Sequence, residues 1–100
     1  MTDRSEHRKE AEAQIARLIA IVQQQPDGAG KDAMLVECQA LTRATVAFHM
    51  EGIRFRTFNV DRLLARESLP LPAEAAETFA AARKALEQAG FHTRSHQSPV

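Results

Sequence analysis

The chain has 100 residues, 44% of them hydrophobic and 26% charged, and its thirteen lysines and arginines balance its thirteen aspartates and glutamates. That composition describes one globular domain and excludes a disordered chain. A net charge of zero gives no global pull toward nucleic acid or an anionic membrane, no run reaches the ~20 apolar residues of a membrane span, and a single cysteine excludes an internal disulfide.

The polar start, Met1-Thr2-Asp3-Arg4-Ser5-Glu6-His7, has no apolar segment of the signal-peptide kind. With the unpaired cysteine it suits a reducing compartment, and the expected location is cytoplasmic. Residues 3–25 read as a helix. Its first half mixes Glu6, Glu10 and Glu12 with Arg4, Arg8 and Lys9, and its second half carries an apolar face of Ile15, Leu18, Ile19 and Val22, broadened by Ile21. Asp3 or Ser5 is placed to cap it. Pro26-Asp27-Gly28-Ala29-Gly30 is a turn, short enough to send the next helix back antiparallel.

Residues 32–67 hold three of the five phenylalanines and the only cysteine. With a helical period they give two adjacent stripes. One is Met34, Cys38, Leu41, Thr45, Phe48, Gly52, Phe55, Asn59 and Leu63; the other is Leu35, Thr42, Val46, Ile53, Val60 and Leu64. Asp32 can cap such a helix. Unbroken, it would be ~50 Å long and would project from a domain whose radius of gyration is about 13 Å. It would then need cover from a second subunit, unless it breaks near Gly52 or at Asn59. With period two, residues 45–58 give a hairpin turning at Glu51-Gly52, which puts Phe48 opposite Phe55. The helix keeps its phase through the whole stretch and a lone hairpin lacks further strands, so the helix is the preferred reading.

Leu69-Pro70-Leu71-Pro72 is a stiff connector. A third helix follows over 73–89, with Ala76, Phe79, Ala82 or Arg83, and Leu86 on its apolar side. Gly90 suits the position after its C-terminus, Phe91 can fold back onto the bundle, and 92–100 reads as a flexible polar tail. The domain is 1–91.

His49, Glu51 and Arg54 are the candidate ligand-binding residues, for a small ligand, a metal or a phosphoryl group. In the helical reading Gly52 leaves one side of the His49 ring accessible. The run His49-Met50-Glu51-Gly52 resembles, over those four residues, the histidine-containing phosphotransfer domains, which present a helical histidine with a glycine one turn on. The resemblance implies His49 as a phosphoryl acceptor. Glu51 stands where that family commonly has a lysine, and its charge would repel the group. The plainer role is a boundary histidine hydrogen-bonded to a neighbour.

Cys38 and His49 are ~16 Å apart along one helix and cannot ligate one ion within it. His92 and His96 have a usable spacing in the tail, but no closed zinc pattern is present, and Cys38 reads as a small buried hydrophobe. Arginines 43, 54, 56, 62 and 66 read as solvated rims, with Glu51–Arg54 as a local ion pair. No nucleotide, metallopeptidase or nucleophile motif is present, so neither catalysis nor a cofactor is expected. The sequence therefore points to an all-α domain of three helices, completing a bundle by dimerising through Leu41, Phe48 and Phe55. Its expected function is a non-enzymatic interaction or regulatory module, partnered by itself or another protein. The alternatives are the ligand site above and an α+β hairpin domain that binds nucleic acid or a protein.

Overall fold

A computed structural model describes residues 4–66 and 69–91 of the chain. It has four α-helices where three were expected, and no strand among the described residues: α1 Arg4–Gln23, α2 Ala29–Ala47, α3 Met50–Leu64 and α4 Ala73–Gln88. The expected cap Asp3, the end of the long helix at Glu67, and the tail with His92 and His96 fall outside the described residues.

The expected 32–67 helix is two helices, and the break falls at Phe48-His49, within one turn of Gly52, near which a break was one alternative, and not at Asn59. Phe48 takes the left-handed conformation, with φ 47°. His49 N–H donates to Ala44 O at 2.9 Å and Phe48 N–H donates to Thr45 O at 3.0 Å. These two bonds are those of a Schellman C-terminus, and they satisfy carbonyls that helix continuation would otherwise have used. The left-handed conformation costs a non-glycine residue about 1–2 kcal/mol. The same bond pattern ends α4, where Gly90 has φ 113° and Phe91 N–H donates to Leu86 O at 2.9 Å. There the special position is held by glycine, and Phe91 is carried back into the core, 1% exposed.

The break also removes the hairpin alternative over 45–58. What periodicity two would have paired across strands is divided between the end of α2 and the start of α3. Asp32 is not the cap of α2 either. The helix begins at Ala29, Asp32 lies in its first turn, and Asp32 N–H donates to Gly28 O at 3.0 Å. Its carboxylate there still complements the helix dipole.

Ala11, Ile15, Leu18 and Val22 line the buried face of α1 and Met34, Cys38 and Leu41 that of α2. The buried side of α4 is Ala75, Thr78, Phe79, Ala82, Ala85 and Leu86, so Ala76 is left exposed beside it. α1 packs against both α4 and α2, and α3 packs against α2. The arrangement closes so that α3 faces α4 across a gap, with Asp61 and Arg83 at 3.9 Å. The radius of gyration is 13.4 Å and the longest extent 39 Å, so no helix projects as a continuous 32–67 helix would have done. No helix among the described residues is long and apolar enough to cross a membrane.

Candidate functional site

The site begins with a change of helical phase. Upstream of the break, the buried residues are Met34, Cys38, Leu41 and Thr45, all from the first stripe, with Ala40 beside them. Downstream they are Ile53, Thr57, Val60 and Leu63, so the phase of the second stripe takes over, with Ile53 and Val60 from that stripe fully buried. The turn at Phe48-His49 rotates α3 about its axis relative to a straight continuation of α2. Phe55, from the first stripe, which a single helix would have kept inside, is therefore turned out and is 56% exposed; Phe58, from neither stripe, lies beside it and is 61% exposed.

Two features hold α3 in this rotation. The first is its start. His49 is the N-cap, in extended backbone, and its Nδ1 accepts a hydrogen bond from Gly52 N–H at 3.0 Å. A Cβ on residue 52 would lie 3.1 Å from that Nδ1 and 3.3 Å from Ala44 Cβ, so glycine is what lets the cap and the end of α2 come this close. The second is a polar clamp onto α2. Arg56 Nη1 donates to both Glu37 oxygens, at 3.0 and 3.3 Å, and Asn59 Nδ2 donates to Glu37 Oε1 at 3.0 Å. Glu37 is mostly covered, so these charge-assisted bonds are stronger than a surface pair.

The outer face of α3 is the stripe Glu51, Phe55, Phe58 and Arg62, spaced four, three and four residues apart and exposed throughout. The guanidinium of Arg56 lies 4.9 Å from the Phe55 ring centroid, and that of Arg62 lies 5.6 Å from the Phe58 centroid. Beside the stripe, a cavity of about 510 Å³ opens between α3 and α4. Phe55 and Phe58 form its apolar wall. Glu51, Arg54, Asp61 and Arg83 form its charged rim, and Thr57 also lines it. Glu51 and Arg54 pair at 2.7 Å, and Asp61 and Arg83 approach to 3.9 Å across the gap. The Nε of Arg54 is buried without a hydrogen-bond partner.

The structure divides the three candidate ligand residues. Glu51 and Arg54 meet at the rim of the cavity, whereas His49 does not line it and spends Nδ1 on the cap. His49 lies outside the helix, so the helical-histidine geometry on which the phosphotransfer resemblance rests is not the geometry found here. Among the described residues, no three histidine, cysteine, aspartate or glutamate side chains are grouped to hold a metal. Cys38 is fully buried. Burial, and secondarily the charge of Glu37, raise its thiol pKa from 9.0 to about 12, which keeps it in the unreactive form.

The three candidate interface residues are also divided. Leu41 is 0% exposed, covered by the chain's own core, and so offers nothing to a partner; Phe48 is half-buried; Phe55 is turned out to solvent. Sequence reasoning missed Phe58, Arg62, Asp61 and Arg83. The first two share the i, i+4, i+7, i+11 spacing of Glu51 and Phe55, a signal present in the sequence. Asp61 and Arg83 meet only through the tertiary fold. No family model matches the chain, and comparison with curated proteins and with solved structures gives no match.

Proposed function

We propose that this chain is a non-enzymatic helical interaction module that acts as a homo-oligomer, with the outer face of α3 as its contact surface. The observation that carries the reading is the pair Phe55 and Phe58. They are neighbours on one helix face, more than half exposed, and they wall a cavity instead of filling the core. Isolated exposed apolar residues are ordinary on a protein surface; two adjacent aromatic rings beside a concave gap are the composition of an interface centre. The charged rim around them is of mixed sign, as suits a protein partner more than a polyanion.

Association that favours the folded state makes thermal stability depend on protein concentration. The midpoint of thermal unfolding is therefore expected to rise with concentration for the wild type and to be flat for Phe58→Ser. A wild-type midpoint that does not move across a wide range of concentration would refute the reading.

A further inference from the structure

Resting on that reading, we infer that the partner is a second copy of this chain whose α3 lies antiparallel against α3 of the first, related by a two-fold axis that passes between residues 56 and 57. The argument is one of charge and spacing. Antiparallel helices about such an axis bring Phe55 of each copy against Phe58 of the other. The same axis brings Glu51 of each copy against Arg62 of the other. All four residues lie on one exposed stripe, so a single register satisfies both the apolar centre and the charged ends. A parallel arrangement would oppose Glu51 to Glu51 and Arg62 to Arg62.

The charges at the two ends are free to take part. Glu51 is engaged by Arg54 through one oxygen, yet its side chain is 80% exposed, and a carboxylate has further acceptor sites. Arg62 makes no ion pair among the described residues; its guanidinium rests over Phe58. It is thus a cation held at the rim of the aromatic pair, with a carboxylate the complement it lacks. The cavity beside the stripe, walled by Phe55 and Phe58, gives the incoming Phe58 ring a concave place to sit. One helix pair covers less than the ~800 Å² per partner of a standard stable interface, so the dimer forms reversibly with concentration.

The test is sedimentation equilibrium on wild type, Glu51→Arg, Arg62→Glu, an equimolar mixture of those two variants, and the doubly substituted chain. Each single variant opposes like charges at both ends of the interface and is expected to dimerise about tenfold or more weakly. In the mixture, one chain carries arginine at both end positions and the other carries glutamate at both. Every opposed pair is then of unlike sign, and association is expected to return to roughly the wild-type level as a heterodimer. The double variant restores the pairing with itself, and it keeps the test sound should one single variant fold poorly. If the reversed variants dimerise as tightly as wild type, or remain monomeric when mixed and when combined, the antiparallel register is overturned. If in that case Phe58→Ser still abolishes association, the contact surface stands without the register. A wild type that is monomeric at every concentration overturns both.

Discussion

His49 Nδ1 accepts the amide hydrogen of Gly52 at 3.0 Å, and a Cβ added at Gly52 would lie only 3.3 Å from that of Ala44. The two residues jointly make the corner from which α3 departs. His49→Ala removes an N-cap and is expected to cost about 1 kcal/mol, while His49→Asp, which keeps an acceptor at that position, costs less. Gly52→Ala gains helix propensity of about 1 kcal/mol but must push against Ala44 Cβ, which is fixed to α2, and the net effect expected is destabilising. Because the His49 ring is the other group in the way, Gly52→Ala is expected to cost less in the His49→Ala background. Denaturant melts of wild type, the two single variants and the double variant measure that coupling; strictly additive effects would contradict the corner as described.

Ile53 and Phe55 are two residues apart, and the rotation of α3 separates their fates. Ile53 is 0% exposed and Phe55 is 56% exposed. In dilute protein, Ile53→Ala is expected to cost about 2–5 kcal/mol through the cavity it leaves. Phe55→Ala is expected to change stability by no more than about 0.5 kcal/mol. Chemical denaturation at a concentration where the chain is monomeric distinguishes these. Comparable losses at both positions would mean that α3 is rotated otherwise.

Cys38 carries a stability consequence at high pH. Its thiol pKa stands at 9.0 when exposed and rises to about 12 in the fold, chiefly by burial and then by the charge of Glu37. Between those values the unfolded chain has lost a proton that the folded chain still holds, so stability falls as pH rises. The contribution is complete below pH 9 and is gone once pH passes about 12. Cys38→Ala is expected to show a shallower decline of stability over that window. A thiol reagent is expected to modify wild-type Cys38 only at the rate of unfolding, and rapid labelling of the native chain would contradict its burial.

The helical class and most of the helix boundaries could be read from the sequence. Pro26 with Gly28, the Pro70–Pro72 connector and Gly90 are local signals whose conformational limits do not depend on the rest of the chain. The break at Phe48-His49 could not be read in the same way. Nothing about phenylalanine favours the left-handed region, and the helical pattern continues in phase on both sides of it. What decides it is tertiary: turning there buries Ile53, Thr57 and Val60 and recruits Glu37 to Arg56 and Asn59, contacts between residues that are about twenty positions apart. The same turn explains why Leu41, expected at an interface, is in the core. A compact four-helix arrangement covers Leu41 with the chain's own helices, where a projecting helix would have left it for a second subunit. Of the candidate site, Glu51, Arg54 and Phe55 were identified by local spacing, whereas Asp61 and Arg83 meet only because α3 and α4 come to face one another.

That the outer face of α3 is a self-association surface is tested most directly by sedimentation equilibrium on wild type and Phe55→Asp across a wide concentration range. Phe55 is exposed, so the substitution leaves the fold of the monomer intact. The expected result is a reversible wild-type dimer and a Phe55→Asp chain that stays monomeric with an unchanged helical circular dichroism spectrum. A wild type that sediments as a monomer throughout, or a dimer that survives Phe55→Asp undiminished, would contradict it.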